Sequence, residues 1–474
     1  MQLENFLLMR HELLLIVIAL LALVFELFFD KKNKQIVIPI MLSLFAVYTI
    51  VGFFPHTTGE IFGGMFVSQD VHVLIKNILN VGVLIILIQS VAWLKKEENE
   101  DRITEFFLLL FSTLIGMFFM ISAGDFLMFY IGLELATIPL AALAAFDRIK
   151  RHSAEAGIKL ILSSALSSGI LLFGISIFYG ISGSIYFTDI AVGITTATPL
   201  FALGLIFFFA GMAFKLSLVP FHLWTADVYE GAPISITSYL SVISKGAVIF
   251  AFTMILYKVF FQFAGLWQNV VYVLSVLTMT VGNLFALRQN NLKRFLAFSS
   301  IAQAGFLMLG LISADNLGSS SIIYFVLIYI FSNLGAFGVV AAISNVTNKE
   351  NMSDYKGLYR TNPKYSLIMM LALFSLAGIP PVAGFFGKFF LFTAAAKGGY
   401  YWLVFIAVLN ATISLYYYLL VVKAMFVDKN ENPIATIKSD GYTKLGLAIC
   451  TIGIFLIGLY SPVFDLIQII VDKF

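Results

Sequence analysis

The chain has 474 residues, of which 60% are hydrophobic and 12% are charged, and its formal net charge is +3. Soluble domains carry about 25% charged residues, so this composition excludes a soluble enzyme and predicts a polytopic helical membrane protein. The lipid bilayer is therefore its first expected partner, and nucleic acid is not expected to bind.

About fourteen apolar runs reach the length of roughly 20 residues that a helix needs to cross a bilayer. They cover residues 11–29, 36–54, 71–94, 105–122, 125–146, 157–180, 199–229, 233–261, 266–287, 291–313, 321–345, 364–397, 400–427 and 443–469. The connections are too short for a nucleotide-binding or redox domain. Charged residues from Asp30 to Lys34 follow the first run, so a cleavable signal is not expected.

Cysteine and histidine usage argues against a bound metal or cofactor. Cys450 is the single cysteine, whereas an iron–sulfur cluster normally takes four. The five histidines are scattered without ligand spacing. We therefore expect this chain to bind no cofactor.

Lys and Arg are concentrated in alternate connections, whereas connections such as 55–70, 179–198 and 313–320 contain none. The basic connections hold Lys31, Lys32 and Lys34; Lys95, Lys96 and Arg102; Arg148, Lys150 and Arg151; Arg288, Lys293 and Arg294; Lys349, Lys356, Arg360 and Lys364; and Lys429, Lys438 and Lys444. By the positive-inside rule, the basic connections face the cytoplasm and both termini face the periplasm.

Two runs are too long for one simple crossing, and each contains proline. Val219-Pro220 interrupts run 199–229, and Gly378 to Pro381 interrupts run 364–397. Proline removes a backbone donor and breaks or kinks a helix.

A pair of interrupted helices at corresponding positions indicates an inverted repeat. Helices four to eight and nine to thirteen form two such five-helix blocks, in which helices seven and twelve are interrupted. The predicted units are residues 1–104 (three helices), 105–262 (first repeat), 263–428 (second repeat) and 429–474 (last helix).

Five ionisable residues lie inside the apolar runs: Glu134, Lys159, Lys215, Lys245 and Lys388. Each charge costs roughly 2.5 to 3.5 kcal/mol at the centre of a membrane helix, so we interpret the set as a buried, hydrated ion path.

Two of these residues also have a simpler interpretation. Glu134 can form a structural ion pair, and Lys159 is shallow enough to snorkel towards the membrane surface. Lys215 is too far from either helix end to do so. Lys388 lies among aromatic residues and is expected to have no structural partner.

Several polar residues accompany the five. His222 can relay protons near neutral pH or act as a hydrogen-bonded spacer, and it lies close to Asp227. Serines of helix six, and Ser299, Ser300 and Gln303 of helix ten, can line water or simply join helices.

Three long motifs are similar to those of the antiporter-like membrane subunits of respiratory complex I, and the resemblance covers the whole chain. They run from Phe214 to Pro233, from Asn291 to Phe306 and from Ala377 to Lys388. The chain is most similar to the subunit N branch, because it ends after helix fourteen and has lysine at position 388.

The resemblance implies proton translocation within a bacterial NADH:quinone oxidoreductase of the inner membrane. NADH, FMN, iron–sulfur clusters and quinone would be bound by partner subunits. Glu134 and Lys215 would form a coupled pair, Lys159 and Lys245 would link it to the centre, and Lys388 would end the path. The alternatives are a large subunit of an Mrp-type cation/proton antiporter and a purely structural subunit.

Two departures from the family pattern affect this assignment. Ala226 replaces a common proline, and Gln303 stands where some members have histidine. Because glutamine cannot titrate, helix ten would need water to carry a proton.

Overall fold

The structure, a computed structural model, describes residues 3–28 and 31–473. Residues 29 and 30, at the end of the first predicted helix and the start of the first basic connection, lie outside the described residues.

The main helices are α1 Arg10–Phe28, α2 Val37–Gly52, α3 Asp70–Leu94, α4 Ile103–Ile121, α5 Phe126–Ala144, α6 Arg151–Ser182, α7 Pro199–Leu216, α8 Leu223–Gly231, α9 Ile234–Lys258, α10 Ala264–Ala286, α11 Leu292–Ile312, α12 Asn316–Thr347, α13 Pro363–Ala377, α14 Ala383–Lys397, α15 Tyr401–Phe426, α16 Gly441–Leu459 and α17 Pro462–Asp472. Shorter helical segments are Leu3–Met9, Lys31–Ile36, Glu97–Glu100, Phe187–Gly193, Phe261–Phe263, Met352–Tyr355 and Leu358–Thr361. Strands β1 Gly59–Ile61 and β2 Phe66–Ser68 form an antiparallel hairpin.

Among the described residues, 13 helices are long and apolar enough to cross a membrane. The shorter helix α13 is followed, after a break, by α14, and the two helices together make a further crossing. The predicted all-α polytopic membrane fold is therefore confirmed.

The basic connections lie together at one end of the helix bundle. Lys34 Nζ donates to the carbonyl of Asp101 at 2.8 Å, which joins the first and third connections. Arg102 donates to the carbonyl of Phe146 at 2.8 Å, which joins the third and fifth. We call this the basic end.

The connections without Lys or Arg lie together at the opposite end. Phe66 of β2 forms a bridge with Ala123, between α4 and α5. Asp125 forms a second bridge with Tyr186, between α6 and α7. The hairpin and these bridges close what we call the hairpin end.

Both predicted helix interruptions are present. α7 ends at Leu216, where Ser217 has a positive φ of 63°, and the chain is not helical again until α8. α13 ends at Ala377, where Gly378 has a φ of 88°. A left-handed residue after the last helical one is a common way to end a helix.

Predicted helix fourteen, residues 443–469, is wrong as a single helix. The structure has two helices there, α16 and α17, which are separated at Tyr460 and Ser461. Pro462 is the first residue of α17, a position where the missing N–H costs nothing, and the helix before it stops.

Helices α4 and α5 approach closely because glycine faces glycine. A Cβ on Gly116 would lie 2.4 Å from the Ala136 nitrogen, and one on Gly132 would lie 2.5 Å from the Met120 nitrogen. Small residues at such crossings allow membrane helices to pack backbone to backbone.

We predict that Gly116→Ala lowers the amount of folded protein in the membrane and its melting temperature, because the added methyl group must separate the two helices. The matched control is Gly169→Ala in α6, where a Cβ meets nothing within 4 Å. The measurement is the thermal unfolding of both purified variants. Equal melting temperatures would show that α4 and α5 tolerate separation.

Candidate functional site

Three of the predicted lysines are buried in the interior of the bundle. Lys215 of α7, Lys245 of α9 and Lys388 of α14 are 8%, 3% and 5% exposed. Each ammonium group meets oxygen atoms of neighbouring helices, and we call the three the lysine row.

Lys215 is held by hydroxyl groups. Its Nζ donates to Ser164 Oγ of α6 at 2.6 Å and to Thr137 Oγ1 of α5 at 3.0 Å. Thr137 lies one helical turn after Glu134, and Glu134 is near enough to interact electrostatically with Lys215. In the described structure the two residues make no direct ion pair, and the Lys215 ammonium is hydrogen-bonded to the hydroxyl groups instead.

Lys245 lies next to an irregular stretch of α9. Residues Leu240–Ser244 form a π-helical turn that ends directly before it. Its Nζ donates to Ser300 Oγ of α11 at 2.8 Å and lies 5.7 Å from the centre of the Tyr229 ring. π-Helical turns inside α-helices often occur at functional sites.

Polar groups of α11 continue from Lys245 towards the second interrupted helix. Ser299 Oγ and Tyr418 Oη are 2.5 Å apart, and Gln303 Nε2 donates to Tyr418 Oη at 3.2 Å. Gln303 Nε2 also donates to the carbonyl of Leu376 at 3.0 Å. Of the residues that the sequence left undecided between lining water and joining helices, those of α11 thus lie between Lys245 and α13.

Lys388 does have a structural partner, contrary to the prediction. Its Nζ donates to the carbonyl of Ala377, the last residue of α13, at 3.0 Å, and lies 4.6 Å from the centre of the Phe306 ring. The last carbonyls of a helix have no partner inside the helix and carry its negative dipole end. The break after α13 therefore creates the acceptor that Lys388 binds.

Lys159 lies near the start of α6, and its implied linking role stays a prediction. It is 41% exposed at the basic end, where its Nζ pairs with Asp227 Oδ2 and Glu155 Oε1, both at 2.7 Å. Its long side chain extends to carboxylates of α6 and α8, in agreement with the snorkelling interpretation.

Asp227 also connects the two predicted repeats. Its other carboxylate oxygen, Oδ1, accepts from Arg294 of α11 at 2.7 Å, and the same guanidinium lies 2.8 Å from Glu230 Oε2. Burial raises the pKa of Asp227, but the hydrogen bonds from Lys159 and Arg294 outweigh it and hold the pKa below its usual value. The carboxylate therefore stays charged at neutral pH.

His222 occupies the residue before α8 and is buried. Burial lowers the pKa of its imidazole, and a hydrogen bond with the backbone of Pro220 partly offsets this. The imidazole is thus mostly neutral at pH 7, as a hydrogen-bonded spacer would be. Its role as a proton relay stays a prediction.

A cavity of about 560 Å³ opens at the basic end between the two predicted repeats. Its wall includes the first residues of α9 and charged side chains of both signs, namely Glu98, Asp147, Glu230, Glu350, Lys96, Lys150 and Lys293. Water in this cavity can approach the helix that carries Lys245.

The sequence prediction missed one buried ion pair. Lys76 Nζ of α3 lies 2.5 Å from Glu12 Oε1 of α1 and 2.6 Å from Ser122 Oγ. The side chains of Lys76 and Glu12 are 1% and 0% exposed. The sequence feature that could have indicated this pair is the presence of two ionisable residues inside apolar runs. Both residues are near helix ends, where charged side chains usually reach solvent, so they did not stand out.

Comparisons with known proteins agree with this architecture. Residues 123–414 match the family described as "NADH:quinone oxidoreductase/Mrp antiporter, TM". The NADH-quinone oxidoreductase subunit N of Phocaeicola vulgatus is 49% identical over 461 residues, which cover 97% of each chain. That of Azobacteroides pseudotrichonymphae is 50% identical and covers 99% of this chain and 98% of the relative.

Solved structures show the same fold. A chain of respiratory complex I from Thermus thermophilus with bound aureothin has a TM-score of 0.81 and 27% identity, and covers 96% of this chain and 98% of its own. A chain of the Mrp complex from Dietzia has a TM-score of 0.83 and 19% identity, and the match covers 100% of this chain and 98% of that one. At this identity the likeness shows the fold alone. From these matches, the chain belongs to the NADH:quinone oxidoreductase/Mrp antiporter family, in its NADH-quinone oxidoreductase subunit N branch.

Proposed function

We propose that this chain translocates protons as a membrane subunit of an NADH:quinone oxidoreductase. The observation that carries the proposal is the lysine row, in which Lys215, Lys245 and Lys388 are buried without a carboxylate in hydrogen-bond contact. That statement covers the hydrogen bonds of the described residues. Intramembrane ionisable groups of this kind usually mark an ion pathway.

The two ends of the molecule supply access in this proposal. Protons reach the row from the basic end, through the cavity whose wall contains acidic side chains and the start of α9. By the positive-inside rule the basic end is cytoplasmic, so both termini are periplasmic in the bacterial inner membrane. Residues 105–262 and 263–428 act as two half-channels, flanked by 1–104 and 429–474.

Hydroxyl and amide groups provide the path for proton transfer between the lysines of the row. Ser300 binds Lys245, and Ser299, Tyr418 and Gln303 continue towards α13, whose last carbonyl binds Lys388. A hydroxyl can accept and donate a proton, whereas the amide of Gln303 needs water beside it. Buried water is to be expected where several such groups meet.

Energy reaches the row as a change of charge. Moving one charge against 100 mV requires about 2.3 kcal/mol. Glu134 interacts electrostatically with Lys215 without a direct ion pair, so gain or loss of one charge at Glu134 changes the energy of the Lys215 ammonium. Lys159 and His222 act at the cytoplasmic edge, Lys159 through its pairing with Asp227.

The redox chemistry belongs to partner subunits. NADH, FMN, iron–sulfur clusters and quinone bind there, and this chain contributes no ligand to them. Its direct partners are the other membrane subunits of the complex, the lipid bilayer, water and protons. An Mrp-type antiporter subunit is the alternative, because the same fold occurs there.

Purification with native partners distinguishes a subunit of an NADH:quinone oxidoreductase from a subunit of an Mrp-type antiporter. We predict that a tag on this chain brings down NADH dehydrogenase activity and quinone reduction, since the relatives of highest identity named above are subunit N proteins. The control is the same purification from cells that express the untagged chain. Co-purification of small antiporter subunits without NADH oxidation would favour the Mrp alternative.

We predict that Glu134→Gln and Lys215→Ala each slow NADH-driven proton pumping, and that the double variant loses less than the sum. One coupled unit would then have been broken twice, and residues that share a partner are not additive. The measurement is vesicle acidification normalised to assembled complex. Glu105→Gln, at an exposed position in the first turn of α4, is the matched control. Additive losses would show that Glu134 and Lys215 act separately.

A further prediction separates the structural and proton-carrying roles of Lys388. Lys388→Ala should lower both assembly and pumping, because it removes the donor to the Ala377 carbonyl as well as the charge. Lys388→Gln keeps a donor without a titratable group, so it should assemble better than the alanine variant and pump no better. Restored pumping by glutamine would limit Lys388 to a structural role.

A further inference from the structure

A second cavity, of about 370 Å³, opens at the hairpin end. Its wall combines Glu60 and Gly64 of the hairpin region, Tyr186 from the connection after α6, and His72 and Lys258 from helix ends. This cavity is at the opposite end of the bundle from the one that serves the lysine row.

The buried pair of Glu12 and Lys76 lies directly behind the wall of this second cavity. Lys76 is one helical turn after His72 on α3. Ser122, which Lys76 binds at 2.6 Å, stands in sequence between Ile121 and Ala123, and both of these line the cavity. The pair therefore lies one helical turn from a cavity-lining residue on α3, and its partner Ser122 is flanked by cavity-lining residues.

The surroundings of the pair are unusual for a purely structural contact. Glu12 is fully buried, yet its Oε2 atom makes no hydrogen bond within the described structure. Lys76 Nζ lies 5.2 Å and 5.8 Å from the ring centres of Phe66 and Phe118. Buried ion pairs often stabilise a protein no more than apolar residues of the same shape, so packing alone does not account for the pair.

We propose that Glu12, Lys76 and Ser122 form a proton-exchange site that opens to the hairpin end past His72. The proposal rests on the proposed function and adds a site outside the lysine row. In the exchange step, the Lys76 ammonium gives one proton to the Ser122 hydroxyl, while that hydroxyl gives its own proton to a water molecule from the cavity, which leaves as hydronium. The resulting amine stays hydrogen-bonded to the Glu12 carboxylate. Uptake of a proton from the same water restores the ammonium.

Other titratable groups face the site from the surrounding elements. His11 of α1 and His72 of α3 interact electrostatically with Lys76, Tyr48 of α2 interacts with Glu12, and Lys258 of α9 interacts with His72. His11 is further tied to Asn77 at 3.0 Å.

Water access is tested with a thiol probe. In a Cys450→Ala background, we expect Ser122→Cys to react with a small membrane-impermeant cationic thiol reagent added on the hairpin side. The matched control is Ser90→Cys, a fully buried serine of α3 that binds only the carbonyl of Leu87 in the described structure. Labelling of Ser122→Cys no faster than that of Ser90→Cys would overturn the proposal.

A measurement of proton pumping distinguishes a proton-exchange role of the Glu12 and Lys76 pair from a packing role. In the intact complex, the paired substitution Glu12→Gln with Lys76→Met removes both charges, so we expect normal assembly but a loss of protons pumped per NADH oxidised. A structural pair predicts normal assembly and normal pumping, which would overturn the proposal. Where the paired variant fails to assemble, the thiol reaction decides.

Lys388→Gln is measured in parallel to keep the two proposals apart. A pumping loss in Lys388→Gln together with normal pumping in the paired variant would overturn the site at Glu12 and Lys76 alone. Normal pumping in both would overturn the proposed function as well.

Discussion

An ammonium group inside a bilayer has to find oxygen atoms within the protein, and this requirement organises the whole interior. Each buried lysine meets it differently. Lys76 has a carboxylate, Lys215 two hydroxyls, Lys245 one hydroxyl and Lys388 a backbone carbonyl. Because lipid offers no hydrogen bonds, the helices must be arranged so that these oxygens arrive at the right depth.

The interrupted helices follow from the same requirement. An unbroken helix has all its interior carbonyls engaged, so it has none to offer to a lysine. Ending α13 at Ala377 frees one carbonyl, and Lys388 of α14 takes it.

The kind of partner decides what each lysine can do. A lysine bound to neutral oxygens can lose its proton without leaving a charge behind, whereas deprotonating Lys76 leaves the Glu12 carboxylate buried and uncompensated. Transit therefore suits the lysine row, whereas proton exchange at Lys76 depends on the nearby cavity at the hairpin end.

Several features were predictable because they depend on one-dimensional patterns. Hydrophobic run length gave the membrane helices, proline and glycine gave the breaks after α7 and α13, and the central position of Lys215 gave its burial. The partner of Lys159 was not predictable, since it depends on where α8 places Asp227. The contact between Glu12 and Lys76 joins distant parts of the chain and needed the packing of α1 on α3 and α4.

Helix α11 is the element through which these parts meet. Its whole apolar stretch is buried, and it belongs to the second predicted repeat while touching the first. At the basic end Arg294 shares Asp227 with Lys159, and near the middle Ser300 holds Lys245. Gln303 then contacts the end of α13. A shift of α11 along its axis would change all three contacts together, whereas the loss of any one contact in the lysine row would leave the others in place.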